Sequence, residues 1–344
     1  MREIRHHVLA VLSFVSVLTI GIPQSAALTR PSNLEEFGRS APVTVEGRVV
    51  GMTYARNADE SLIVTWVTMK VGRVVRGHLA ARRVRFRVMG GHIGDLGLLV
   101  PEEPTFSVGE DARVLLSRDD EGILRVHGGR AGKLSLHAGG TAAPSPLQAG
   151  SSEAATACPW ACDPLSSPIL SWPEPAMSQP LYINPTPMDG CTEDAWIASV
   201  FAAAETWNQA MAGFVFQPIV GTTELSGKGK QPDGLNVVYV GRASSQLAYT
   251  TLWFDFHTGV LLENDTVISV DKNSIHWSCD SGPQPGRYDV QGAVTHELGH
   301  FLFLPDITDG GCRDLTMYGA EFWNDIGMRS LEPPDVCGIR TLYP

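Results

Sequence analysis

The pentapeptide His-Glu-Leu-Gly-His at residues 296–300 constrains this chain more than any other stretch. Residues four apart on an α-helix stand on the same face, so His296 and His300 can bind one metal ion together. Glu297 follows the first histidine directly, where its carboxylate can reach a water molecule on that ion without being a ligand. This pattern is typical of a zinc hydrolase.

Helical phasing supports this interpretation. At about 100° per residue, the apolar side chains of the segment gather opposite the two histidines: Val290, Val294, Leu298 and Phe301. The pattern therefore predicts a helix that buries its apolar face and presents His296 and His300 on the other. Asp289 is placed to cap the N-terminus of this helix by accepting a backbone N–H bond.

The start of the chain has the composition of a secretory signal peptide. Arg2 and Arg5 precede an apolar run at residues 8–20, and small residues follow at 25–27. The run is shorter than the roughly 20 residues that span a bilayer, which disfavours the alternative of a membrane anchor. We therefore expect removal of residues 1–27, secretion, and no membrane association of the mature protein.

The cysteine content agrees with export to an oxidising compartment. All six cysteines lie in the C-terminal half: Cys158, Cys162, Cys191, Cys279, Cys312 and Cys337. An even number in a secreted chain predicts three disulfides, although the sequence does not choose among the 15 pairings that six cysteines allow.

Two domains and a linker are expected. Residues 28–138 contain short segments of alternating apolar and polar residues, such as Val84, Phe86 and Val88 between arginines, and predict an all-β barrel or sandwich. Residues 139–170 are rich in Ala, Gly, Ser and Pro and predict a linker. Residues 171–344 predict an α/β layered domain, in which Trp196 and Trp207 anchor the core side of a helix.

The arginines of residues 83–87 have three possible roles. A solvated strand face is the simplest interpretation, because a basic patch alone establishes little. Nucleic-acid binding is not expected, since exposed aromatic residues are not interleaved and nearby acidic residues nearly cancel the charge. The third possibility is that the mildly basic first domain docks on the acidic second domain, as a pro-segment or accessory module would.

Three segments resemble a known family. Residues 296–306 resemble the metzincin motif HExxHxxGxxH, residues 315–318 (Leu-Thr-Met-Tyr) resemble its Met-turn, and residues 332–343 resemble the ending of matrixin catalytic domains. The resemblance covers residues 171–344 and implies a secreted zinc endopeptidase that acts on protein or peptide substrates. It says nothing about the first domain.

Two positions depart from the metzincin pattern. Asp306 stands where the third histidine is expected, as in the snapalysin-type variant, and a carboxylate oxygen is an acceptable zinc ligand. Phe303 stands where the family has a glycine that lets the chain turn. A bulky residue at positive φ is strained by roughly 1–3 kcal/mol, so we expect either a different turn or a displaced third ligand. The other candidate ligands are Asp309, His276 and Glu321.

The resemblance also implies a role for each site residue. His296, His300 and Asp306 would bind one zinc ion, Glu297 would be the general base, and Met317 would lie beneath the metal as apolar support. Residues 248–254 would form an edge strand that pairs with an extended substrate, with these residues in contact with it: Thr251, Leu252 and Trp253.

Two further possibilities concern cofactors and latency. No motif in the sequence supports a calcium site. Cys158, ahead of the metal-binding domain, could hold the metal in a latent precursor instead of forming a disulfide, but the usual latency motif is missing. The alternative to an enzyme is a catalytically inactive relative that acts as an extracellular binding protein.

Overall fold

The computed structural model describes residues 41–119, 121–136, 170, 172–173, 178–227, 231–242, 246–270, 275–307, 310–321 and 323–344. The predicted signal peptide and nearly all of the predicted linker, with Cys158 and Cys162, lie outside these residues. The fold is a mixed α+β one, as predicted, and the three α-helices of the described residues lie in the second half, after the first eight strands.

Short alternating segments form the strands of the first half. In β3 the apolar side chains are buried and the intervening arginines lie at the surface, as the alternation predicts. The strands in chain order are β1 (Val43–Arg56), β2 (Ile63–Arg76), β3 (Arg83–Met89), β4 (Gly91–Ile93), β5 (Leu96–Leu99), β6 (Asp111–Arg118), β7 (Leu124–Val126) and β8 (Lys133–Leu136).

Six of these strands form one sheet in the order β1-β2-β3-β7-β6-β8, and β1 also pairs with β6. The hydrogen-bonded pairing therefore returns to the strand at which it began. An apolar cluster that includes Val67, Phe86 and Val114 fills the interior of this sheet. The arginines of β3 form interactions within the same domain, because Arg87 pairs with Asp119 and Arg85 stacks over a tryptophan.

The second half contains both strands and α-helices. Its strands are β9 (Ser178–Ile183), β10 (Val215–Val220), β11 (Val237–Gly241), β12 (Ala248–Asp255), β13 (Leu261–Ser269), β14 (Trp277–Ser278) and β15 (Tyr288–Asp289). Its helices are α1 (Glu193–Asn208), α2 (Val290–Phe301) and α3 (Pro333–Leu342).

The main sheet of the second half includes two strands from the first half. Its order is β10-β9-β11-β13-β12-β5-β4. Strand β5 pairs antiparallel with β12, and Leu98 lies opposite Trp253. The hairpin of β4 and β5, at residues 91–99, therefore joins the two halves through backbone hydrogen bonds.

Helices α1 and α2 pack together on this sheet. Trp196 and Trp207 are fully buried, as predicted, and the indole N–H of Trp207 donates to the carbonyl of Thr295 in α2 at 2.7 Å. This contact ties the two helices together, so the position of α2 depends on the core.

One disulfide, Cys191–Cys279, links the start of α1 to the strand β14 region. Cys312 and Cys337 are also disulfide-bonded. Disulfides fit an oxidising compartment. Among the described residues, no helix is both long and apolar enough to cross a membrane.

Candidate metal centre

Helix α2 carries the two histidines of the pentapeptide, as predicted. The Asp289 side chain accepts a hydrogen bond from the backbone N–H of Gly292 at 2.8 Å, so it is the predicted N-cap. The expected open face of the helix is covered, however, because His300 is fully buried and the His296 side chain is only 11% exposed. Segments from elsewhere in the chain close over this face.

Both imidazole rings are oriented by backbone carbonyls. His296 Nδ1 lies 2.7 Å from the carbonyl oxygen of Thr316, and His300 Nδ1 lies 2.8 Å from that of Leu304. A carbonyl only accepts hydrogen bonds, so each Nδ1 must carry the proton and donate it. Each Nε2 then keeps its lone pair, which is the usual state of a histidine that binds a metal ion.

Phe303 occupies the turn that follows the helix. Its φ is 68°, so it adopts the left-handed conformation that glycine normally supplies. The N–H of Phe303 donates to the carbonyl of His300 and that of Leu304 to the carbonyl of Gly299, which together form a Schellman-type ending. The expectation of either a different turn or a displaced third ligand is wrong: Phe303 keeps the left-handed turn, and Asp306 lies beside both histidines.

The cost of this turn is offset by packing. The Phe303 side chain is 4% exposed and belongs to the main apolar cluster of the second half. Burial of a phenylalanine stabilises by about 1.5–3 kcal/mol. That gain is comparable with the roughly 1–3 kcal/mol of strain at a non-glycine residue with positive φ.

Asp306 lies beside both histidines. Its Oδ1 atom is 3.4 Å from His296 Nε2 and 3.5 Å from His300 Nε2, and its side chain is 3% exposed. For ligand bonds of about 2.0–2.1 Å, tetrahedral coordination separates neighbouring ligand atoms by about 3.3–3.4 Å. The three groups therefore have the spacing and chemistry to hold a metal ion.

The chain beyond Asp306 is fixed by the Met-turn. The N–H of Ile307 donates to the carbonyl of Met317 at 2.7 Å, and Gly319 donates back to Ile307 at 2.9 Å. This short pairing places Asp306 opposite the histidines.

The two other candidate ligands that the structure describes, His276 and Glu321, do not join this cluster. His276 is about half exposed and lies 3.8 Å from Asp189. Glu321 accepts a hydrogen bond from the backbone N–H of Asp289, at the far end of the helix. Asp309 lies outside the described residues.

Glu297 is buried, and Thr250 on strand β12 orients it. The Thr250 hydroxyl donates to Glu297 Oε2 at 2.8 Å. Burial is the main cause that raises the pKa of Glu297 to about 8; the negative charge of Asp306 acts in the same direction, and the hydrogen bond from Thr250 opposes it. A cation bound beside it would favour the ionised form and lower this pKa.

Met317 packs against the backbone of α2, and its expected role beneath a metal ion stays a prediction. A Cβ atom on Gly299 would come within 2.1 Å of its Sδ, so the methionine packs directly against the helix backbone where only glycine fits. Asp335 of α3 fixes this turn, because its carboxylate accepts the backbone N–H groups of Thr316 and Met317 at 3.1 and 3.2 Å.

A fourth group comes from the first half of the chain. Glu102 Oε1 lies 3.4 Å from His300 Nε2, and Glu102, Glu297 and His300 form a second cluster that could hold a metal ion. Sequence reasoning missed Glu102, Thr250 and Asp335. Asp335 had a signal in the segment that resembles the matrixin ending, and Thr250 lies in a predicted strand next to Thr251.

The strand expected to bind substrate is not an open edge. Strand β12 pairs with β13 on one side and with β5 on the other, over Leu252 to Asp255. Thr251, Leu252 and Trp253 are consequently buried. The expectation of an edge strand is wrong for this arrangement, because a hairpin about 150 residues earlier in the chain supplies the neighbouring strand, and its substrate-binding role stays a prediction.

A scan against protein-family models finds no match to this chain, and a search of curated proteins finds none either. The function of this chain therefore has to be inferred from the residues and geometry of the site itself.

Proposed function

We propose that this protein is a secreted zinc-dependent endopeptidase of the matrixin-like metzincin type. The observation that carries the proposal is the convergence of His296, His300 and Asp306 on one point, with Glu297 beside it. Two imidazoles and one carboxylate are a donor set that zinc prefers in hydrolases, where a fourth position is kept for water or substrate.

The chemistry assigned to zinc is to acidify a bound water molecule and to polarise the scissile carbonyl. Glu297 would accept the proton of that water and pass it to the leaving amine. Thr250 holds one carboxylate oxygen of Glu297, which leaves the other for proton transfer. The carbonyls of Thr316 and Leu304 keep both rings in the metal-binding tautomer.

A disulfide supports export, and the sheet topology supports a layered catalytic domain. The Cys191–Cys279 disulfide fits an oxidising compartment, in agreement with the signal peptide predicted at residues 1–27. Helices α1 and α2 lie on a sheet built largely from residues 178–269, which fits the catalytic domain predicted at 171–344, and the closed strand pairing of the first half fits a small barrel.

The test combines metal content with cleavage. The purified mature chain should contain one zinc ion, and His300→Ala should lose it. A mixed peptide library should be cleaved by the wild type or by Glu102→Ala, in which the carboxylate beside His300 is removed. Glu297→Ala is then made in whichever of these two proteins cleaves the library. It should keep its zinc, and its rate of cleavage should fall by about 10²–10⁴-fold. Absence of zinc, or unchanged cleavage in the Glu297→Ala variant, would refute the proposal.

A further inference from the structure

The carboxylate of Glu102 is brought to the metal centre by the first half of the chain. Its Oε1 atom lies 3.4 Å from His300 Nε2, the same separation that Asp306 keeps from His296. The Glu102 side chain is only 14% exposed. It therefore fills the remaining side of the site, next to the base Glu297.

Hydrogen bonding does not explain this position. No hydrogen-bond donor of the described residues satisfies either carboxylate oxygen of Glu102, whose side chain instead contacts the carboxyl of Glu297, and His300 Nε2 also lacks a hydrogen-bond partner. Buried polar atoms normally find a partner, and a buried carboxylate without a cation or donor is costly. Three carboxylates and two imidazole nitrogens facing one point are a donor set that a metal cation would satisfy.

The backbone around Glu102 is held firmly. Its carbonyl accepts the N–H of Arg130 at 2.6 Å, and a Cβ on Gly129 would come within 2.4 Å of the same oxygen. Gly129 has a φ of 56°, so glycine is required there both for space and for conformation. These contacts fix the loop and point the side chain of Glu102 into the site.

Strand β5, just before Glu102, is anchored on both faces of the shared sheet. Leu98 packs with Ile63 and Trp253 on one face, whereas Leu99 packs against the main core of the second half. Val100 joins a cluster with Tyr239 and Tyr249. Strand β5 therefore pairs its backbone with β12 and places its side chains in apolar contacts on both faces of the sheet, as a bound extended peptide would.

From these contacts we infer that residues 96–102 form a built-in inhibitory segment, in which Glu102 is the fourth metal ligand and β5 occupies the position of an extended substrate. The inference rests on the proposed function. The carboxylate takes the coordination position that a catalytic site keeps for water, and β5 uses the backbone groups of β12 over Leu252 to Asp255. The chain in this form is latent, and activity requires that the segment leave.

The experiment uses the full mature chain with cobalt(II) in place of zinc, because cobalt reports its ligands by visible absorption. Acetohydroxamate, a small chelating probe, is titrated into the wild type, Glu102→Ala and the matched control Glu103→Ala. Glu103 is the adjacent carboxyl, and it belongs to neither metal-ligand cluster. If the Glu102→Ala variant does not fold, the isosteric Glu102→Gln variant provides the same comparison.

We expect the absorption spectrum of Glu102→Ala to differ from that of the wild type, and its affinity for acetohydroxamate to rise at least ten-fold. Peptide cleavage should rise in the same variant, because loss of the Glu102 carboxylate frees the metal position and removes the contact that holds the segment at the site, whereas Glu103→Ala should behave as the wild type. Equal spectra and affinities within two-fold, with cobalt bound in both proteins, would overturn the inference and leave the metal site standing. Absence of cobalt from every variant would overturn both the inference and the proposed function.

Discussion

The Nδ1 atom of His300 lies 2.8 Å from the carbonyl oxygen of Leu304, only four residues further along the chain. This contact exists because Phe303 turns the chain back at positive φ, directly after the helix. The turn thus has two effects: it ends the helix, and it fixes the tautomer of His300 in the candidate metal site.

Replacement of Phe303 separates backbone strain from side-chain packing. Phe303→Ala should destabilise the protein by about 3–5 kcal/mol, because it leaves a cavity and keeps the strained φ. Phe303→Gly loses the same packing but relieves the strain, so it should be more stable than the alanine variant by about 1 kcal/mol. Urea unfolding measures both, and a less stable glycine variant would contradict the positive φ.

Asp306 should be required for metal affinity. Asp306→Asn replaces a charged oxygen ligand by a neutral amide. Loss of a residue that only hydrogen-bonds to a ligand already lowers metal affinity by about 10–100-fold, so zinc affinity should fall by at least about ten-fold here. Competition with a chromogenic chelator measures the dissociation constant. The control is His276→Ala, since that exposed histidine is remote from the cluster. Equal losses in the two variants would rule out Asp306 as the third ligand.

Thr250 should act through Glu297. Thr250→Val keeps the side-chain shape and removes the hydroxyl that donates to Glu297 Oε2. A hydrogen bond to a charged group is worth roughly 1.5–3 kcal/mol, so kcat should fall about ten-fold while the zinc content stays unchanged. Thr250→Ser keeps the hydroxyl and should restore most of kcat. These rates are measured in the Glu102→Ala background. Thr341→Val is the matched control, because the Thr341 hydroxyl donates to the carbonyl of Cys337 and not to Glu297, and an equal effect there would contradict the assignment.

Asp335 should stabilise the Met-turn from a distance. It is fully buried and accepts the backbone N–H groups of Thr316, Met317 and Glu332. Asp335→Asn puts an amide donor against these donors, so the free energy of unfolding should drop by about 1–3 kcal/mol. Chelator-induced zinc loss should also become faster, because Thr316 orients His296. The exposed Asp314→Asn change should alter neither quantity.

Glu263 should make stability depend on pH. Burial raises its pKa from 4.5 to about 7, and its carboxyl accepts the N–H of Gly234. A carboxyl whose pKa is raised by folding contributes stability that is present below pH 4.5 and is lost as the pH rises through about 7. Stability should therefore fall across this window, and Glu263→Gln should reduce the fall by roughly 2 kcal/mol. Urea unfolding from pH 4.5 to 8 checks this, and parallel curves for the two proteins would contradict it.

Local sequence patterns were sufficient for the parts of the site that are close in the chain. Four-residue spacing places His296 and His300 on one helix face, and alternation predicts strand β3, because both depend only on backbone periodicity. Asp306 was also predicted, from its spacing after the helix. The sequence did not predict that a buried phenylalanine would tolerate positive φ, since that depends on the surrounding core.

Glu102 shows what the tertiary structure alone decided. Its segment, Pro-Glu-Glu-Pro, has no local pattern that indicates a metal ligand, and it lies in a domain that contains no other site residue. The pairing of β5 with β12 brings it to His300, and that pairing depends on complementary side chains far apart in the sequence. His296, Glu297, His300 and Asp306 could be predicted as candidate site residues from local spacing and the motif they resemble, because neighbours in the chain keep regular backbone geometry. The position of Glu102 beside His300 depends on long-range pairing, and such contacts have no sequence period from which they can be predicted.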